Sequence, residues 1–181
     1  MKIAPRRLAG TFEIALEPRT DERGHFVRWY DAALFAAAGL PTGWVQANES
    51  RSRRGVVRGL HFQRPPHAET KLVRAVRGTV FDAFVDLRRG SPTFGRWDAV
   101  ELSDARHNAV LIPRGFAHGF CALSDEAIVS YLVDAAYAPE AEGGLAWDDP
   151  EVAIPWPLEG APIVSAKDRR WPRLADLEPL G

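Results

Sequence analysis

Between Gly55 and Gly78 the chain reads G-V-V-R-G-L-H-F-Q-R-P-P-H-A-E-T-K-L-V-R-A-V-R-G, two β-like runs joined by a polar loop that holds Pro65 and Pro66. Period-two counting puts Val57, His61 and Gln63 on one face of the first run, and Lys71, Val73 and Ala75 on one face of the second. An imidazole and an ammonium turned into a small β-structure are costly to bury unless something uses them. Further on, P-R-G-F-A-H (Pro113–His118) has a Pro-x-Gly-x-x-His spacing, a tight turn that aims His118 into the mouth of a small barrel. With Asp82 these residues make a cavity set of His61, Lys71, His118 and Asp82, a candidate for acid–base chemistry. Each also has an ordinary reading: a satisfied core histidine, a snorkelling lysine, an aspartate at a bend.

The Pro113–His118 turn resembles the second motif of cupins. In metal cupins that histidine is a ligand, together with a His-x-His pair and a glutamate from an earlier hairpin. Here the earlier hairpin carries His61-Phe62-Gln63 and Lys71. Glutamine is a weak ligand and a protonated lysine repels a divalent cation, so the expectation is no metal.

The elements that must position these groups are mostly short strands. Phe12, Ile14 and Leu16 alternate with Glu13, Ala15 and Glu17, and the run T-D-E-R-G after Pro18 predicts a turn. A second strand is expected over His25–Tyr30. Asp31 is the expected N-cap of an Ala-rich helix that Gly39 and Pro41 stop. Val45–Ser50 leads into the basic patch R-S-R-R, read as a solvated loop or an anion site. Thr79–Leu87 alternates cleanly, with Phe81, Ala83, Val85 and Leu87 on one face and Val80, Asp82, Phe84 and Asp86 on the other. Trp97–Leu102, Ala109–Ile112, Gly119–Leu123 and Ala127–Val133 are further β-like runs broken by Gly, Pro and Asp. That spacing predicts an all-β sandwich or barrel. From Tyr137 periodicity is lost, predicting a wrapping tail with one short helix near Lys167–Leu174.

The chain has 181 residues, a length that suits one domain with a sizeable core. Its net charge of −1 implies no general nucleic-acid or membrane surface. A single cysteine, Cys121, rules out an internal disulfide and agrees with a reducing, cytoplasmic setting. No apolar run is long enough to span a bilayer.

The stretches G-V-V-R-G-L-H-F-Q, K-L-V-R-A-V-R-G-T-V-F-D, D-L-R-R-G-S-P-T-F-G-R-W, I-P-R-G-F-A-H-G-F and W-D-D-P-E-V-A-I-P-W-P together resemble the dTDP-4-dehydrorhamnose 3,5-epimerases, over about Phe12 to Asp168. The resemblance implies a cupin-like antiparallel β-sandwich (a jelly roll) with a few short peripheral helices. It also implies a homodimer whose N-terminal strands pair across the two-fold, and no cofactor. A 4-keto sugar has acidic protons at C3 and C5, and inverting those centres needs a base, an acid on the other face and a cation at the enolate oxygen. By resemblance His61 is the base, Asp168 in V-S-A-K-D its orienting carboxylate, Tyr131 in S-Y-L-V-D the acid and Lys71 the cation. His118 and Asp82 are then a supporting pair. Arg23, Phe26, Gln46, Asn48, Arg58 and Tyr137 match residues that hold the nucleotide or sugar. By strand parity Arg58 and His61 point to opposite faces, so they share a site only if Gly59 bends or bulges the strand.

Residues alone favour duller roles for two of these. Asp168, between Lys167 and Arg169, reads as an exposed carboxylate, and Tyr131 as core packing. The chain also departs from the family's pattern. G-H-F-V-R, with His25 and Arg28, stands where the family usually has G-F-F-F-E, and Ala47-Asn48-Glu49-Ser50 where it has Asp-Asn-His-Ser. The reaction expected is therefore double epimerisation of a dTDP-4-keto-6-deoxysugar. A single-centre 3- or 5-epimerase, a non-catalytic sugar-nucleotide-binding cupin and a metal-dependent cupin oxygenase are the alternatives.

Overall fold

Alternating apolar side chains turn most of this sequence into strands, and a computed structural model describes residues 1–181. Strands β1 (Lys2–Pro5), β2 (Phe12–Ala15), β3 (Arg19–Asp21) and β4 (Gly24–Phe26) precede helix α1 (Ala32–Ala37). Then come β5 (Gln46–Arg53), β6 (Val56–Gln63), β7 (Lys71–Arg77), β8 (Thr79–Asp86) and β9 (Trp97–Ser103). The order ends with β10 (Asn108–Ile112), β11 (Phe116–Ala122), β12 (Glu126–Val133), β13 (Glu142–Gly144) and β14 (Ile163–Val164). One sheet runs β1-β2-β10-β7-β12-β5, the other β13-β6-β11-β8-β9 with β14 parallel beside β6, and β3-β4 is a separate hairpin. The expected all-β antiparallel sandwich is present.

Three apolar layers hold it. Between the sheets, Val73 and Ala75 of β7, Val80 and Phe84 of β8, Val110 and Ile112 of β10 and Val129 of β12 form the central core. The other parity of β8, Val85 with Leu87 just beyond the strand, packs outward with Leu60 and Phe62 against Leu145, Val152, Leu174 and Leu180 of the C-terminal tail. On the opposite side, Leu72 and Leu111 pack against Ile14 and Phe35 of α1. Asp31 caps α1 as expected, accepting from the backbone N–H groups of Ala33 and Leu34.

Gly59 sets the geometry of the site. Across the β6–β11 ladder His118 stands opposite His61 but Phe120 opposite Arg58, so one residue is gained in between. At φ +127°, Gly59 occupies backbone space that a side chain rarely adopts, and a Cβ there would lie 2.6 Å from Gly119 Cα. The slip moves Arg58 to the same side as His61, as the bulge condition required. It also overturns the grouping of Val57 with His61 and Gln63. Val57 packs on the far side with Cys121 and Val164, while His61 and Gln63 face a cavity.

Other expectations are revised. The segment expected as a strand over His25–Tyr30 pairs only to Phe26, because Val27, Trp29 and Tyr30 leave the hairpin to pack on the α1 layer. The R-S-R-R patch is not a loop: Arg51–Arg53 end the edge strand β5, with Arg51 paired to Glu126 and Arg54 to Asp125. Lys167–Leu174 holds no α-helix but a 3-10 turn at Asp168–Arg170, followed by another at Leu174–Asp176. β1 had no expectation attached and pairs with β2 within the chain. No helix is long and apolar enough to cross a membrane.

Candidate active site

The inner ends of β6, β7 and β12 and the start of β13 surround a cavity of about 160 Å³. Its walls carry His61 and Gln63 from β6, Lys71 from β7, Tyr131 from β12, Gln46 and Asn48 from β5, and Glu69, Tyr137 and Glu142. Five strands and loops converge because β12 lies between β5 and β7, in register Tyr131 opposite both Asn48 and Val73.

His61 Nε2 lies 2.6 Å from Asp168 Oδ1. The carboxylate accepts, so Nε2 carries the proton and Nδ1 is the basic nitrogen. Asp168 is not the exposed residue that its charged neighbours suggest; it is 4 % exposed. The 3-10 turn at its position tucks the side chain against β6, where it accepts from the Trp171 indole at 3.2 Å and the Gly59 amide at 3.4 Å. Burial alone would raise the Asp168 pKa, but the His61 hydrogen bond and charge, with these backbone and indole donors, hold it below the ordinary carboxylate value. His61 keeps a third of its side-chain surface open, and it also borders a second cleft of about 380 Å³ lined by Arg58, Lys167 and Asp168.

Lys71 is buried and paired at 3.1 Å with Glu69, itself largely covered. Glu69 was missed by the sequence reading, although residues i and i+2 of an extended segment share a face and the spacing to Lys71 was visible. Tyr131, half-buried, has its hydroxyl pKa pushed up by burial and by the Glu69 charge, against a smaller pull from Arg58. Gln63 is a brace. Its carbonyl accepts from Ala138 N–H at 2.7 Å and its amide donates to His67 and Ala136 carbonyls, tying the 64–70 loop to the 134–142 loop. At the rim Glu142 accepts from Lys167 Nζ (2.5 Å) and the Tyr137 hydroxyl (3.0 Å); neither Glu142 nor Lys167 stood out in the sequence.

The structure does not gather every residue expected. His118 and Asp82 bond to each other at 2.9 Å, but neither lines the cavity with His61; they sit one strand further in, Asp82 wholly buried. Arg58 reaches the facing sheet, donating to Ser52 Oγ and the Arg51 carbonyl. Gln46 accepts from Tyr137 N–H at 2.7 Å. Arg23 and Phe26 are elsewhere. Arg23 is exposed and paired to Asp21 at the tip of the β3–β4 hairpin, and Phe26 lines a separate cleft of about 300 Å³ with Arg19, Arg28 and Asp31. No three His, Cys, Asp or Glu side chains converge as a metal-holding set.

A buried carboxylate–imidazole pair opening onto a lysine and a tyrosine is a proton-transfer constellation, and comparison with known proteins gives it a family. The family model described as dTDP-4-dehydrorhamnose 3,5-epimerase matches residues 5–176. The chain belongs to that family. The dTDP-4-dehydrorhamnose 3,5-epimerase of Methanothermobacter thermautotrophicus is 50% identical over 171 residues, spanning 93% of this chain and 92% of that protein. The dTDP-4-dehydrorhamnose 3-epimerase of Streptomyces niveus is 46% identical over 182 residues, spanning 100% and 87%. Among solved structures, an epimerase of Legionella pneumophila in complex with dTDP-4-keto-L-rhamnose superposes with a TM-score of 0.94 at 39% identity, covering 98% of this chain and 94% of its own. Within this epimerase family fold, the His61–Asp168 pair joins a strand of the sandwich to the tail that wraps it.

Proposed function

We propose that this epimerase converts dTDP-4-dehydro-6-deoxy-D-glucose to dTDP-4-dehydro-L-rhamnose by inverting C3 and C5. The observation that carries the reading is the His61–Asp168 dyad, 2.6 Å long, opening onto a cavity that also holds Lys71 and Tyr131. Nδ1 of His61 takes the proton α to the C4 carbonyl, and the C–H electron pair becomes the enolate. Asp168 stabilises the resulting imidazolium. The Lys71 ammonium faces the enolate oxygen, and Tyr131 returns a proton to the opposite face of the carbon. Both centres flank one carbonyl, so the same groups serve each in turn.

The nucleotide belongs with the second cleft, where Arg58 and Lys167 offer cations to a diphosphate beside His61. Gln46, Asn48 and Tyr137 on the cavity wall hold the sugar. The chain works as a homodimer, and Arg23 and Phe26 on the exposed β3–β4 hairpin reach the nucleotide of the partner's site. Phe26, more than half exposed, shares its cleft with the exposed Leu34, an apolar patch that supports a partner over it. The single domain acts in the cytoplasm, where its one thiol stays reduced.

Incubation with dTDP-4-keto-6-deoxyglucose in D2O tests the reaction. Deuterium enters at C3 and C5 with the native protein and at neither with His61→Ala. The likeness to a 3-epimerase favours one second reading, a single-centre enzyme, and label at one carbon alone establishes it.

A further inference from the structure

Glu69 is a carboxylate inside the reaction cavity to which proton abstraction and return assign no task. It precedes β7 by two residues, and Thr70 between them is fixed by its N–H donating to Asp134 at 2.6 Å. One carboxylate oxygen meets the Lys71 ammonium at 3.1 Å, and the other takes a long, 3.4 Å contact from the Gln63 amide. The Gln63 orientation is set by the backbone, since its oxygen already accepts from Ala138 and its nitrogen already donates to two carbonyls. Both Gln63 N–H groups are thus spent on the backbone, and the 3.4 Å contact can only share one of them, so the Lys71 ammonium is the one full donor that Glu69 meets. A carboxylate gives that ammonium a charged acceptor, which the neutral amide of a glutamine would not.

We propose that Glu69 is a positioning residue for the reaction: it anchors the Lys71 ammonium in the cavity and sets the charge that Tyr131 faces. The proposal rests on the epimerase reading for its catalytic half, and for the rest on the 3.1 Å Lys71–Glu69 pair and on the cavity wall that Glu69 and Tyr131 share. An ammonium on a flexible four-carbon stem has many places to go, and a nearly buried acceptor selects one. The ionisable groups sharing the cavity with Tyr131 are His61 from β6, Lys71 from β7, Glu69 from the loop before it, Tyr137 and, from β13, Glu142. Arg58, from the other sheet, favours the phenolate, and Glu69 opposes it. Glu69 thereby helps to keep Tyr131 in the proton-bearing form that an acid needs, and it offsets the ammonium until a carbonyl oxygen arrives.

The test compares Glu69→Gln and Glu69→Asp with the native protein, using a readout that needs no substrate. The chain has only three tyrosines, so ultraviolet titration of phenolate resolves Tyr131 when Tyr131→Phe serves as the blank. In Glu69→Gln the Tyr131 transition moves to lower pH, kcat falls roughly 10- to 100-fold, the scale of a misplaced catalytic group, and the alkaline limb of the rate profile moves with the tyrosine. Glu69→Asp, which keeps the charge on a shorter stem, returns the titration toward native while kcat stays low. An unchanged titration overturns the proposal whatever happens to kcat, and so does an unchanged kcat. If no variant, nor the native protein, turns over the keto sugar, the epimerase reading fails while the titration still judges the Glu69–Tyr131 coupling. A variant that unfolds is recognised by its circular dichroism, and the Asp variant then carries the test.

Discussion

Two histidine–carboxylate pairs lie side by side in this molecule, their histidines facing each other across the β6–β11 ladder. Both are Nε2-to-oxygen bonds, 2.6 Å for His61–Asp168 and 2.9 Å for His118–Asp82. The bond type is common to both; the surroundings are not. His118 is 9 % exposed in its side chain and Asp82 not at all, and one oxygen of Asp82 is left without a partner. His61 keeps a face on two clefts, and its carboxylate is fed by an indole and a backbone amide. A dyad becomes a base only where the free nitrogen can meet a carbon acid. The buried dyad instead ties β8 to β11.

The sharpest way to break this contrast is to remove each histidine. His61→Ala is expected to lower kcat by about 10³-fold or more, the upper range for loss of a general base, with an unfolding midpoint near native. His118→Ala is expected to cost mainly stability, read by denaturant unfolding. Comparable kcat losses in the two variants would show that both dyads touch the chemistry.

Asp168→Asn and Asp82→Asn come next. The first keeps the shape but removes the charge that stabilises an imidazolium, and roughly a 10²-fold fall in kcat is expected. The second should leave kcat within about tenfold and reduce stability by about 2 kcal/mol, the scale of a disturbed buried hydrogen bond. Because the Asp168 pKa is lowered in the fold, its stabilising contribution is complete above the ordinary carboxylate range and is lost as pH falls through the lowered value. The native protein should therefore lose stability on acidification more steeply than Asp168→Asn.

The smallest effect sets a reference outside both dyads. Asp86, wholly buried, accepts from Arg88, Ser91 and Thr93. Burial opposes its ionisation, yet these donors bring its pKa down to about 2. That carboxylate holds the turn after β8 and should contribute about 2 kcal/mol at neutral pH, lost as the medium is acidified toward its folded value. Acid titration of Asp86→Asn, followed by tryptophan fluorescence, should show that part of the transition missing while the neutral-pH kcat stays near native.

What could be read in advance follows from which interactions are local. The β8 alternation was legible, and its two parities do divide between central core and tail. The Asp31 cap was legible from five residues. His61 and Lys71 were visible as misplaced charges. Asp168 was not, because the tail has no periodicity to reveal its burial, and only resemblance pointed to it. Val57 was misplaced because parity counting fails across Gly59, and one glycine gives no sign of which way a strand will slip. Placing His118 and Asp82 on the cavity wall failed for a related reason: parity says which face a residue takes, not how deep along the sandwich it lies. Arg23 and Phe26 carry no signal toward His61 within the chain, since one pairs with Asp21 and the other lines a separate cleft.

The carboxylate partner of His61 stands 107 positions further along the chain. Synthesis runs from the N-terminus at about 5–20 residues per second, and earlier segments begin to organise first. The strands of both sheets through β13 have been synthesised before Asp168 is added. A chain interrupted between β13 and that residue has the strands through β13 and its lysine, tyrosine and histidine, but no dyad. What the tail adds to the site is therefore one carboxylate, and without it the His61 ring lacks the partner that orients it.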